Sequence, residues 1–280
     1  MAVGSRTAKR AYRYRFYPDS EQSAQLAVTF GCVRYVYNRA LAERSRAWGE
    51  EQRRVTNADT SRMLTEWKRD PETLWLAEPS KGPLQAILRH LHSAFVNFWA
   101  KRAGFPSFKK KGRTVDAATY FRGCFTYRDG RARLAKQGRP LDVVWSRPLP
   151  AGAVPSQVTV LWNSRGQFHL SILVEEAVAS LPPVDVRVGV DAGITALVAL
   201  STGEKVINPK REEWDRVRLA RAQRNLARKQ KGSVNRAKAR ARVARIYGRI
   251  ADRRRDCLHT LSTRLVRENQ MVALEDLPVR

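Results

Sequence analysis

Apolar positions along the chain follow two different periods. Residues 11–17 (AYRYRFY) alternate, with Tyr12, Tyr14 and Phe16 on one face and Arg13 and Arg15 on the other, the pattern of a half-buried strand with a basic outer face. Pro18 ends it, and Asp19 with Gln22 three residues on is a helix-capping signal. The spacing then turns helical. Leu26, Phe30, Val33, Val36, Tyr37, Ala40 and Leu41 share a stripe, Arg34, Arg39, Arg44 and Arg46 lie opposite, and Gly31 is expected to divide the run into two helices. A further helix is expected from Asp59 or Thr60 through Met63, Leu64 and Trp67. Another begins near Pro83, a residue suited to a first helical turn, and runs through Leu84, Ile87, Leu88, Leu91, Phe95, Phe98 and Trp99. These stripes read as core rather than as cofactor contacts.

The pattern changes at residues 104–112 (GFPSFKKKG), where Phe105 and Phe108 flank a proline and precede Lys109, Lys110 and Lys111. Rings beside a lysine run suit base stacking with phosphate contact; an exposed linker anchored by its two phenylalanines has the same spacing. From 118 to 176 the pattern is β, with a hairpin turn at Asp129-Gly130 and another from Asn163 to Gly166, the latter between strands 158–162 and 168–174. If the strand at 11–17 joins this set, the result is a small barrel of OB-like kind interrupted by a helical segment over 20–112. Ser180-Leu181-Pro182-Pro183 reads as a linker. A three-strand meander follows over 186–194, 195–201 and 204–208, then a basic helical region over about 212–269, broken near Gly232-Ser233. Its second helix carries a stripe of Val243, Ile246, Ile250, Cys257, Leu258, Leu261 and Leu265. Residues 271–276 (MVALED) read as a buried strand ending in acids.

Composition adds a partner to this picture. At 280 residues the chain has room for two or three domains, and 43% hydrophobic residues suffice for their cores. Lys and Arg number 53 against 26 Asp and Glu, a net charge of +27. A solvated surface needs a charge of only about 8 for solubility, so a polyanion is the simpler explanation. A membrane surface fits less well, because the charge is spread along the whole chain. Residues 209–255 hold 18 Lys or Arg and 4 Asp or Glu, an imbalance that rules out ion pairing within the helices for most of them and points to phosphates. The candidate contacts are Arg13, Arg15, Arg34, Arg39, Phe105, Phe108, Lys109, Lys110, Lys111, Arg221, Arg224, Arg228, Lys229 and Lys231. No stretch approaches the roughly 20 apolar residues of a membrane span, and the basic N-terminus has no apolar core of a secretory signal. Three dispersed cysteines, Cys32, Cys124 and Cys257, form no CxxC pair, which argues for a reducing, cytoplasmic compartment and against a zinc site or disulfide framework.

Two acids stand where chemistry is possible. Asp191 ends one apolar strand and Glu275 ends another. If VGVD pairs beside VALE, both carboxylates emerge at one sheet edge, where they would suit Mg²⁺, a cation that takes oxygen ligands and keeps waters. Singly, each has a plainer account: Asp-Ala-Gly is a good turn, and Glu275 is a strand-end acid in water.

Taken together, six segments in collinear order resemble the TnpB family, the OrfB-type transposases of insertion sequences. They are YRFYPDSEQ, FGCVRYVYNRAL, GFPSFKKKG, GVDAGITALVALS, RLARAQRNLARKQKGS and VALEDL. The family comprises RNA-guided DNA endonucleases ancestral to type V CRISPR effectors. The resemblance implies a mixed α+β and α/β multidomain fold. Its parts are a wedge barrel (1–19 and 113–179), a helical recognition domain (20–112) and an RNase H-like RuvC domain (184–280) with a basic helical insertion. It further implies a guide RNA from the transposon end, a double-stranded target DNA in a prokaryotic, nucleoid-associated setting, and Mg²⁺ held by Asp191 and Glu275 as the first two RuvC carboxylates. The family pattern continues with a CxxC…CxxC zinc ribbon and a third RuvC Asp, and neither motif occurs in these residues. On that basis the chain is expected to be C-terminally truncated, its RuvC domain incomplete, zinc absent and cleavage impaired. Two other functions stay open: an RNA-guided binder without nuclease activity, acting as a repressor, and a non-specific polyanion-binding protein.

Overall fold

The computed structural model describes residues 6–112, 115–178, 180–193, 196–207 and 212–275. Contacts divide it into two units, Arg6–Val178 and the chain from residue 179 onward.

The first unit opens with β1 (Arg6–Tyr17), followed by α1 (Ser20–Glu51), α2 (Asn57–Trp67), a 3-10 segment (Pro71–Ala77) and α3 (Lys81–Trp99). Six strands then follow: β2 (Asp116–Phe121), β3 (Phe125–Arg128), β4 (Arg131–Leu134), β5 (Asp142–Val144), β6 (Gln157–Trp162) and β7 (Phe168–Val178). β1 pairs antiparallel with β7 from Arg6 opposite Val178 to Phe16 opposite Phe168, and its end pairs with β5. The strand order is β2-β6-β7-β1-β5, so the early strand does join the later ones, and the helices are an insertion between β1 and β2. The alternation read from sequence sets this sheet. Tyr12, Tyr14 and Phe16 are buried with Val158, Val160, Leu170, Ile172 and Val174, while Arg13 lies on the exposed face. β3 and β4 form the expected hairpin. Asp129 and Gly130 both take positive φ (48° and 71°), the left-handed turn that Asp-Gly favours.

α1 begins as expected. Gln22 N–H donates to the Asp19 carboxylate (2.8 Å) and Asp19 N–H donates to the Gln22 side chain (3.2 Å). It does not break at Gly31. A helical glycine costs about 1 kcal/mol relative to alanine, whereas each fully buried large apolar side chain contributes about 1.5–3 kcal/mol; Phe30, Cys32 and Val33 are buried on either side of the glycine. One helix therefore serves two cores: Leu26 and Phe30 pack on the sheet, and Cys32 through Leu41 pack with Leu64, Trp67, Leu84, Leu88 and Leu91 of the helical insertion. α2 starts at Asn57, earlier than expected. Thr56 is the cap and Asp59 is the third helical residue, whose carboxylate accepts the Thr56 N–H (2.8 Å). Arg44 also departs from the reading: it lies on the buried side, 5% exposed, where α1 meets Phe95 of α3.

The second unit holds β8 (Arg187–Ala192), β9 (Ala196–Leu200), β10 (Lys205–Ile207), α4 (Glu212–Ala227), α5 (Val234–Glu268) and β11 (Met271–Leu274). The meander β8, β9, β10 is antiparallel as expected, and β11 adds to β8 in parallel, giving the order β10-β9-β8-β11. Parallel neighbours need a long crossover, and α4 with α5 supplies it. Val188, Val190, Val198 and Leu200 pack beneath Leu261 and Leu265 of α5. The helical break falls at 228–233, where Gly232 has φ +84° and Ser233 caps α5 by accepting the Arg236 N–H (3.1 Å). The Arg236 guanidinium donates back to the carbonyls of Leu226 and Lys229, which closes the end of α4. β11 is not the buried strand the sequence suggested. It is an edge of the described sheet, with Met271 54% and Leu274 73% exposed. Among the described residues no helix is long and apolar enough to cross a membrane.

Candidate nucleic-acid interface and carboxylate pair

The parallel pairing of β8 and β11 sets the relation of the two acids. Val188 opposes Val272 and Val190 opposes Leu274, so continuing the register by one residue brings Glu275 level with Asp191. Neighbouring strands lie about 4.8 Å apart, a spacing at which two carboxylates can share one cation. Alternation also separates them from the core: the Val188 and Val190 side chains face α5, and Asp191, one residue on, faces the other side. Both acids are exposed, and no ion pair engages either of them among the described residues. Gly189 lets β8 approach Ser201. Its N–H donates to Ser201 Oγ (2.9 Å), and a Cβ added there would lie 3.4 Å from Ser201 Cβ.

The two carboxylates have hard oxygen donors of the kind Mg²⁺ takes, with waters completing its shell. No group of three or more His, Cys, Asp or Glu arranged to hold a metal occurs among the described residues. The pair fits two positions of such a shell and leaves the others to water or to phosphate oxygens. Two of the three cysteines offer no alternative: Cys32 and Cys124 are buried, and burial pushes the Cys32 thiol up to about 11, away from the thiolate a metal needs.

The expected nucleic-acid contacts divide into exposed cations and cations held within the fold. Lys110, Lys111, Arg221, Arg224, Arg228, Lys229 and Lys231 are exposed, the last five on the end of α4 and the turn after it. Arg13 is exposed on the outer face of β1; Arg15 is half-buried and stacks over Tyr17 (5.2 Å). Arg34 is committed elsewhere. It pairs with Asp116 at 3.2 Å, both about four-fifths buried, and so ties α1 to β2. Arg39 lies over the Trp67 ring (4.7 Å) and donates to the Tyr35 hydroxyl (3.1 Å). Lys109 is half-buried over Tyr37 (4.8 Å), its backbone N–H donates to the Asn38 side chain (2.8 Å), and burial lowers its amine pKa. The Asn38 bond fixes the start of the lysine run, a role that sequence spacing gave no sign of.

Phe105 is anchored edge-on against Phe95 (5.5 Å) and Phe98 (5.3 Å), yet it and Phe108 are each 54% exposed.

Comparison with known proteins places these features in one lineage. Residues 169–280 match the family model OrfB_IS605, described as "Probable transposase", and residues 7–53 match its companion, described as a helix-turn-helix domain. In this chain residues 7–53 contain a strand and one unbroken helix. A Streptomyces pristinaespiralis protein named "Putative RNA-guided DNA endonuclease" is 56% identical over 97% of this chain and 68% of its own length. InsQ of Escherichia coli (strain K12), which bears the same description, is 34% identical over 96% of this chain and 66% of its own length. The chain thus spans about two thirds of the length of these relatives. In fold it is similar to a chain of the Cas12f1–sgRNA–target DNA complex, with a TM-score of 0.52 at 11% identity, covering 97% of this chain and 81% of that one. With more than half its residues shared across nearly its whole length with the Streptomyces relative, the chain belongs to the TnpB family, the OrfB-type transposases of insertion sequences.

Proposed function

We propose that this chain is an RNA-guided DNA-binding protein, with Asp191 and Glu275 as the Mg²⁺-binding acids of a RuvC-like nuclease domain over 184–280. Residues 1–19 and 113–179 act as an OB-like wedge and 20–112 as a helical recognition domain. Its partners are a guide RNA from the transposon end and a double-stranded target, read mainly by base pairing while the protein grips backbones. The observation that carries this reading is the parallel register of β8 and β11, which brings two acids level in a chain of net charge +27. Bound Mg²⁺ supplies activation of water and stabilisation of the leaving oxygen. The chain's own residues hold that cation through Asp191 and Glu275, and neutralise phosphates through the exposed arginines and lysines of α4 and of the loop after α3.

A second reading is guided binding with little cleavage, in which the two carboxylates hold a cation without cutting the strand. One experiment tests both. The chain is mixed with RNA from its own locus and a matching DNA in Mg²⁺, and binding and cutting are measured separately. Guided binding is expected, with slow cutting that D191A and E275A abolish while leaving affinity unchanged. Cutting that survives both substitutions sinks the assignment of the acids. Equal binding of an unrelated RNA identifies a non-specific polyanion binder instead.

A further inference from the structure

The helical end of the first unit holds a cavity of about 440 Å³ that no part of the proposed reading uses. Its walls are Trp48 from the last turns of α1, Phe95, Phe98 and Trp99 from those of α3, and Phe105 from the loop beyond. Trp48 and Trp99 are each 51% exposed, so aromatic surface lines the mouth as well as the interior. Arg54 stands at the rim, 5.7 Å from the Trp99 ring. Arg53 beside it is already paired with Glu51 (2.8 Å).

One charge belongs to the inner part of this wall. Arg44 is 5% exposed, and its guanidinium sits 5.1 Å from the centre of the Phe95 ring. All three guanidinium nitrogens are shielded from solvent, and none has a hydrogen-bond acceptor among the described residues. Asp59 acts on Arg44 only through space, and burial lowers the arginine's pKa. A buried charge without an acceptor is among the costliest groups a core can hold, and it calls for an acceptor from outside the chain. A small inorganic anion would satisfy the charge and leave five aromatic rings unused. A nucleobase uses both. Guanine presents two acceptors, O6 and N7, at the spacing of a guanidinium fork, and a ring face that stacks on tryptophan.

We propose that this cavity takes a single unstacked guanine of a nucleic-acid strand, its ring against Trp48 and Trp99, its O6/N7 edge toward Arg44 and its phosphate on Arg54. The base reaches the guanidinium by displacing Phe98, a lining ring that is itself 36% exposed. The inference rests on the nucleic-acid-binding reading and adds a base-specific contact to it.

The test uses the full chain and a labelled RNA hairpin with one bulged guanine, the same hairpin with a bulged cytosine, and one with an abasic bulge. Fluorescence anisotropy at moderate salt gives each affinity. The guanine hairpin should bind about 10-fold tighter than the abasic one, the range that one base–aromatic stack supplies, and tighter than the cytosine one. W48A and W99A, at exposed rings, should erase the preference while leaving the abasic affinity unchanged. R44K, which keeps the charge and loses the fork, should erase guanine over cytosine. R44L should behave likewise; if a melting curve shows that it does not fold, R44K and the tryptophan variants decide. Equal affinity of the wild type for the three hairpins, a preference that survives W99A and R44K, or millimolar inorganic phosphate erasing the preference would each overturn the proposal. Failure to bind any hairpin would overturn the nucleic-acid reading itself.

Discussion

Gly82, in the first turn of α3, shows how closely the helical insertion meets the sheet. A Cβ added there would lie 2.9 Å from Cys124 Sγ and 3.0 Å from Cys124 Cβ, closer than such atoms approach. Both residues are buried, so neither side has room to give. G82A should therefore destabilise the first unit by about 1–3 kcal/mol, the usual cost of overpacking, and C124A should recover part of the loss. Denaturant unfolding of the four combinations measures the coupling; strict additivity would rule out the contact. Asp59 makes a pH-dependent contribution. The Thr56 backbone N–H and hydroxyl, then Arg62, hold its carboxyl at about 2 against an ordinary 3.8. A depressed folded pKa means stability that is fully present above the ordinary value and lost as pH falls through the window toward 2. The gap in melting temperature between wild type and D59N should close across that window; a constant gap would show that the capping box contributes nothing through its charge. The start of α2 was expected at Asp59 or Thr60, two or three residues late, because the paired hydrogen bonds of Thr56 and Asp59 that mark the boundary have no signal in the apolar spacing.

Among the elements, α4 and the turn after it carry the clearest electrostatic prediction. Arg221, Arg224, Arg228, Lys229 and Lys231 are exposed. Replacing Arg221 and Arg224 by Gln should weaken binding to any polyanion and lower the slope of log affinity against log salt by about one for each phosphate no longer neutralised. An unchanged slope would mean that these side chains face only water. Asp215 belongs to the same helix but acts inwardly. It is 2% exposed and pairs with Arg253 of α5, so D215N should loosen α4 on α5 and speed hydrogen exchange along α4 with little effect at β6 and β7. Equal acceleration in the sheet would contradict a local role. Elements were legible where one period ran cleanly, as in β1, β7, the meander and the two basic helices. They misled where chemistry cut across the period. Gly31 looked like a breaker, but the buried residues around it outweigh its cost. Arg44 looked like a solvent-facing residue, because a charged residue on a stripe edge has no sequence signal for burial. β11 looked buried, because four apolar residues read the same at the edge of a sheet as within it.

For the whole chain, the order of motifs is enough to identify the lineage, and the +27 charge sets the expectation of a polyanion partner. The pairing of β8 with β11 stood in the sequence only as a condition, since nothing in VGVD or VALE names its neighbour; residues 193–270, with two strands and two helices, separate them. The cavity beside Arg44, which is built from three separate segments, was not legible.

The pairing of β1 with β7 also sets a timetable. Tyr12 meets Ile172, a partner 160 residues later in the chain. At roughly 5–20 residues per second on the ribosome, β1 waits on the order of 10 s for the strand that completes its ladder. During that wait α1 can form and gather the helical insertion, because its contacts there are closer in sequence. Lys9, Arg13 and Arg15, which alternate on the outer face of the finished sheet, are meanwhile the charges that discourage two nascent β1 strands on neighbouring ribosomes from pairing with each other. The basic alternation of the first strand thus acts during synthesis, before the sheet that it joins is complete.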